Sequence, residues 1–212
     1  MIKAVIFDFD GVLIESADIK TEAFRDVFSR WPDKVDEIVT YHIKNMGISR
    51  FVKFRYFHET VLNEPYSEAI GAEMGRRFSE IVASKVKQAP FVSGAKEFIE
   101  MHFEKCFLFI ASGTPEEELL DIVSSKGINK YFRGIYGAPA SKHGIIMKTL
   151  EAFHLQRQEA IFVGDAESDQ IAAQSAGLRF ILRQTSENAY VESTIRIPDL
   201  THLTKVIRKL NT

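Results

Sequence analysis

The chain has 212 residues, 45% hydrophobic and 26% charged, the balance of a globular protein with room for one sizeable domain and a smaller insertion. A formal net charge of −2, with no basic stripe interleaved with aromatics, argues against a nucleic-acid partner and gives no bulk attraction to anionic membranes. The lone cysteine, Cys106, rules out an internal disulfide or thiolate cluster and fits a reducing cytoplasm; no apolar run reaches membrane-spanning length and no cleavable leader is expected.

The first expected element is a buried strand, KAVIF (3–7), ending in Asp8-Phe9-Asp10-Gly11. Two carboxylates at the end of a poorly hydrated strand repel each other, so their presence asks for a reason. Residues 16–88 carry no strand pattern of this type. ADIKTEAFRDVFSRW (17–31) places Ile19, Ala23, Val27 and Trp31 at helical spacing; ISRFVKFRYFHETVL (48–62) and SEAIGAEMGRRFSEIVASKV (67–86) also read as helices. The aromatic density of FVKFRYFHE fits a helical core, and Lys20, Lys53 and Arg55 are expected on solvated helix faces. Pro90 and Gly94 mark the return to the main domain.

From residue 106 onward, strands and helices alternate. CFLFIAS (106–112), AIFVG (160–164) and LRFIL (178–182) are apolar throughout, as strands covered on both faces are; GIYG (134–137) and TIRIP (194–198) are weaker strand candidates. Helices are expected over TPEEELLDIVSSKG (114–127), with Thr114 as its cap, and over 144–154, 168–177 and 199–210. The fold class expected is therefore α/β, a doubly wound parallel sheet formed by 1–15 and 89–212, with a helical cap of 16–88 inserted after the first strand.

Ligands in such sheets bind beyond the carboxyl ends of the strands. The groups expected there are Asp8 and Asp10, then Ser112-Gly113-Thr114, then Asp165 with Asp169, and Lys142 in the loop PASKHG. Three carboxylates in one crevice demand a cation, and an oxygen-only donor set favours Mg²⁺. A serine hydroxyl and a lysine suit the oxygens of a phosphate. Asp8 then serves as a nucleophile on phosphorus. Asp10, two residues on in extended chain, faces the same side and serves as acid and base. The rival readings are a capping role for Ser112 and a solvated loop position for Lys142, with Lys148 as the fallback cation.

DFDGVLIES (8–16) resembles the first motif of the haloacid dehalogenase-like superfamily, in its phosphatase branch. Ser112 in LFIASGT resembles the second motif, Lys142 in ASKHG the third, and FVGDAESD (162–169) the fourth. The helical cap is similar to that of the subclass containing phosphoglycolate phosphatases and β-phosphoglucomutases, and MGISR (46–50) resembles a cap segment whose arginine, here Arg50, contacts substrate. The resemblance implies Asp8 as nucleophile and Asp10 as general acid and base. It implies Mg²⁺ held by Asp8, the Asp10 carbonyl, Asp165 and Asp169, and a phosphoryl group held by Ser112, Gly113 and Lys142. Two departures stand out: the third motif reads KHGI rather than Lys-Pro-x-Pro, and Lys20 falls where the mutases usually carry a histidine. Arg50 reads either as a substrate contact or as a cap salt bridge. The expected activity is Mg²⁺-dependent hydrolysis of a small phosphorylated metabolite, with a phosphosugar mutase as the first alternative and a non-catalytic binding protein as the second. Neither a nucleic-acid nor a membrane partner is expected.

Overall fold

The computed structural model describes residues 1–211. Strands β1 (Ala4–Phe7), β2 (Phe107–Pro115), β3 (Gly134–Ala138), β4 (Ala160–Gly164), β5 (Arg179–Arg183) and β6 (Arg196–Ile197) form one sheet. Its order is β3-β2-β1-β4-β5-β6, and every neighbouring pair is parallel. Five helices lie between β1 and β2, and the first four are α1 (Ala17–Val27), α2 (Pro32–Lys44), α3 (Arg50–Tyr56) and α4 (Glu68–Gln88), with a π turn at Phe57–Val61 extending α3. The remaining helices are α5 (Ala95–His102), α6 (Glu116–Ser125), α7 (Lys142–Ala152), α8 (Glu167–Ser175) and α9 (Leu203–Leu210). Among the described residues no helix is long and apolar enough to cross a membrane.

The unbroken apolar runs of the central strands follow from coverage on both faces. Along β1, Val5 and Phe7 join one buried cluster while Ala4 and Ile6 join the other; β2 and β4 divide in the same way. Each side chain thus leaves water on alternate faces of the pleat. Burying each large apolar side chain contributes about 1.5–3 kcal/mol.

Helices α1–α4 share an aromatic core. Phe24 meets Phe78 at 4.9 Å between ring centroids, and Phe28 meets Phe57 edge-on at 5.3 Å. Helix α2 was not foreseen, although Pro32 at its first position and Val35, Ile38, Val39 and His42 on its buried face carry the helical period. The chain leaves and returns to the sheet side by side. Glu15 N donates to the Pro90 carbonyl at 3.0 Å and Val92 N to the Leu13 carbonyl at 3.0 Å.

One expectation fails at β2. The strand runs through Thr114 to Pro115, pairing Pro115 with Ala138, and α6 begins only at Glu116. Thr114 is therefore a buried strand residue and caps nothing. Strand pairing with β3 overrides the local capping preference at this position. Smaller shifts occur in α7, which starts at Lys142, and in β6, which is only two residues long.

Candidate active site

Strand β1 sits where the connections diverge, with β2 on one side and β4 on the other. Phe7 pairs with Ile110 and with Val163. This register brings Asp8, Ser112 and Asp165 to one edge, Asp8 and Asp165 just past the ends of β1 and β4 and Ser112 in the carboxyl-terminal half of β2. Gly11 makes the turn after Asp10 with φ +75°; a Cβ there would fall 2.0 Å from Asp165 Oδ2, so the close approach of these two loops requires glycine.

Asp8 is 2% exposed. Its Oδ1 accepts from Phe9 N at 2.7 Å and its Oδ2 lies 3.0 Å from Lys142 Nζ. Burial pushes its carboxyl up to about 7, reinforced by Asp169 and Asp10 and opposed by Lys142. Burial likewise raises Asp165 well above the usual range, with Asp8 and Asp169 adding to it. Asp10 goes the other way. Burial would raise it, but the Lys20 charge outweighs that, together with hydrogen bonds from Lys20, Ser16 and Thr114. Ser16 Oγ donates to Asp10 Oδ1 at 2.7 Å and Thr114 Oγ1 to Asp10 Oδ2 at 2.8 Å; Lys20 Nζ pairs with the same Oδ2.

Lys142 stands at the first position of α7, whose N-cap Ser141 accepts from Gly144 N at 3.1 Å. Its ammonium bridges Asp8 and Asp169, reaching Asp169 Oδ1 at 2.5 Å. Those two carboxylates overcome burial and raise its pKa. Asp169 engages both of its oxygens within the protein, because Oδ2 accepts from Asp165 N at 3.3 Å and Ala166 N at 3.1 Å at the start of α8. Ser112 Oγ accepts from Thr114 N at 3.1 Å and lies 3.4 Å from Asp10 Oδ2. Asp8, Asp165 and Asp169 each offer an oxygen, and these lie within 4.8 Å of one another. Three buried carboxylates facing a single ammonium leave excess negative charge, and the donors are all oxygen. That set fits a hard divalent cation such as Mg²⁺.

Helices α1–α4 close over this edge. Gly47, with φ +77° in the loop after α2, packs its carbonyl against Gly113; a Cβ on Gly113 would fall 2.7 Å from that oxygen. Ser168 Oγ donates to the Met46 carbonyl at 2.8 Å. Arg50, 5% exposed, binds Glu118 at 2.6 Å through Nη2 and Ser79 at 3.1 Å through Nη1, fastening α3 to α6 and α4. A cavity lies beneath them, partly open to solvent. Asp8, Asp10, Ser112, Gly113, Asp165 and Arg50 all line it.

Two expectations about charged helix faces are overturned. Lys20 is no solvated residue: it reaches from α1 to Asp10 and to Thr114 Oγ1, the latter at 2.7 Å. Lys53 is 2% exposed and lines the cavity. Arg55 does sit outside, paired with Glu68. Sequence reasoning also missed Asn188. Its Nδ2 donates to the Asp165 carbonyl at 2.7 Å and to the Arg183 carbonyl at 2.8 Å, tying the Asp165 loop to β5. A loop asparagine gives no sequence signal of that kind.

The model of the haloacid dehalogenase-like hydrolase family matches residues 5–183, which span Asp8, Asp10, Ser112, Lys142, Asp165 and Asp169. The chain belongs to that family. As a member it is a hydrolase. Its curated relatives include a phosphorylated carbohydrates phosphatase of Thermotoga maritima, 28% identical over 188 residues, covering 84% of this chain and 83% of that protein. Another is a phosphoglycolate phosphatase of Rhodobacter capsulatus, 27% identical over 192 residues, covering 86% and 84% respectively. Among solved structures, a β-phosphoglucomutase from Clostridium difficile shares the fold with a TM-score of 0.79 at 19% identity, over 100% of this chain and 98% of that one.

Proposed function

We propose that this hydrolase is a Mg²⁺-dependent phosphatase that acts on a small phosphorylated metabolite through an aspartyl-phosphate on Asp8. The observation that carries the reading is the opposed setting of two neighbouring carboxylates. Asp8 faces Lys142 and the carboxylate cluster, whereas Asp10 is gripped separately by Ser16, Thr114 and Lys20. Two carboxyl groups in different environments can take different roles in one reaction.

Asp10, ionised in the free protein, takes up a proton as the anionic ester enters beside it and passes that proton to the departing alkoxide oxygen while Asp8 attacks phosphorus. Asp10 then takes a proton from water, which attacks phosphorus and releases inorganic phosphate and the Asp8 carboxylate. Ser112 Oγ, the Gly113 amide and Lys142 hold the phosphoryl oxygens. Asp8, Asp165 and the Asp10 carbonyl would hold Mg²⁺, with Asp169 acting directly or through water. The ion supplies charge neutralisation for the phosphoryl group. Arg50 joins the closing of the helices over the substrate, and closure excludes bulk water.

The test is phosphate release from a panel of phosphorylated metabolites with Mg²⁺ present, comparing the wild type with Asp8→Asn. The variant folds and loses at least about 10³-fold in kcat. Activity within tenfold of wild type would overturn the covalent route. Product analysis with a hexose 1-phosphate separates hydrolysis from mutase chemistry: isomerised sugar phosphate in place of inorganic phosphate counts against the phosphatase.

A further inference from the structure

Every cation at the cavity has a carboxylate partner, with one exception. Lys142 is matched by Asp8 and Asp169, Lys20 by Asp10, and Arg50 by Glu118. Lys53 has no such partner. It is 2% exposed, and among the described residues no carboxylate lies within ion-pair distance of its ammonium. Its contacts are His42 Nδ1 at 2.8 Å, the His42 carbonyl at 3.5 Å and the Phe24 ring at 5.4 Å. With Lys53 as the charged donor, Nδ1 accepts and the ring proton of His42 sits on Nε2. That atom is buried and has no hydrogen-bond partner. Both residues line the same cavity as Asp8 and Asp10.

Burying Lys53 without an anion is costly in either form, as an uncompensated ammonium or as an amine driven to release its proton, and the unpartnered ring nitrogen of His42 adds to that. Methionine or leucine would fill the same space beside Phe24 and Phe78 without that cost, so packing alone does not account for Lys53. A neutral polyol would give the ammonium no counter-charge either. The missing partner is an anion that arrives with the ligand.

We propose that Lys53 and His42 form an anion-binding subsite in the helical cap, which receives a second acidic group, a carboxylate or a phosphate, on the leaving portion of the phosphate ester. The subsite rests on the phosphatase reading above and narrows it to doubly acidic esters. Lys53 provides the counter-charge and His42 Nε2 a second donor. Burial, with the charges of Lys20 and Lys142, lowers the Lys53 pKa in the free protein, and the incoming anion opposes all three.

The experiment compares two matched pairs of esters with Mg²⁺ present. One pair is 2-phosphoglycolate and its amide; the other is propane-1,3-diol bisphosphate and its monophosphate. The wild type prefers the acidic member by at least tenfold in kcat/KM in one pair, and that pair identifies the anion. In Lys53→Met the preference falls to within twofold, chiefly through KM, while the melting temperature of the ligand-free protein stays level or rises. Lys53→Gln serves as the second variant, and the wild-type comparison requires no variant to fold. Hydrolysis of all four esters without preference for the acidic tail overturns the subsite and leaves the phosphatase standing. Retention of the preference in Lys53→Met or Lys53→Gln also overturns the subsite. Failure to release phosphate from any of the four, where other esters of the metabolite panel are hydrolysed, overturns the subsite and leaves the phosphatase standing; failure across the whole panel overturns both.

Discussion

Thr114→Val tests how Asp10 is held. The hydroxyl is buried, accepts from Lys20 Nζ at 2.7 Å and donates to Asp10 Oδ2 at 2.8 Å. Valine keeps the shape and removes both hydrogen bonds. A hydrogen bond to a charged group contributes about 1.5–3 kcal/mol. Lys20 and Asp10 remain paired to each other, and Asp10 keeps Ser16, so the combined loss stays close to the worth of one such bond. If Asp10 acts as acid and base, that loss falls on the transition state and lowers kcat/KM by about 10- to 150-fold. A chain of this size loses about 2–4 °C in melting temperature per kcal/mol, so the variant stays folded at assay temperature. The assay is steady-state phosphate release beside a thermal melt, with Thr114→Ser restoring most of the activity because it restores the hydroxyl. A folded valine variant within twofold of wild type would refute the reasoning. So would a serine variant as impaired as the valine one.

Two other perturbations probe the carboxylate cluster and the closure of the helices. Chelation of divalent cations abolishes turnover and added Mg²⁺ restores it. Asp165→Asn removes one of three like charges, so the metal-free protein melts level with or above wild type and no longer gains stability on addition of Mg²⁺; an unchanged Mg²⁺-induced shift would contradict the ligand assignment. Gly113→Ala forces its Cβ against the Gly47 carbonyl, which must retreat by several tenths of an ångström. Overpacking of that kind costs about 1–3 kcal/mol, so kcat/KM falls about 5- to 150-fold and limited proteolysis of the 45–49 loop accelerates. Wild-type kinetics and cleavage in this variant would mean that the two backbones need not touch during turnover.

What could be read from the sequence was what chain proximity encodes. Asp8 and Asp10 stood out because carboxylates directly after an apolar strand conflict with burial. The fourth motif was legible for the same reason. The invisible part depends on pairing across long separations. Lys20 and Thr114 are 94 residues apart, and Thr114 and Asp10 are 104 apart. On the helical period alone, Lys20 and Lys53 occupy positions that usually face water. Only the seating of α1 and α3 over the sheet edge turns them inward. Thr114 misled because its local capping preference is real, and the β2–β3 pairing simply exceeds it. Helix α2 escaped because four charged residues crowd its first two turns, although its buried face keeps the expected spacing.

The hydrogen bonds that join Glu15 to Pro90 and Leu13 to Val92 bear on more than the entry of the helices. They seal the stretch between them at its base, so the sheet receives a chain whose two ends already meet. Loop-closure entropy grows only slowly with length, each doubling adding roughly 0.6 kcal/mol. The sheet and its catalytic edge are therefore nearly indifferent to how many residues the stretch holds. On the proposed reading, a different set of helices grafted onto the same two residues would leave the sheet edge below intact and change what is admitted to it.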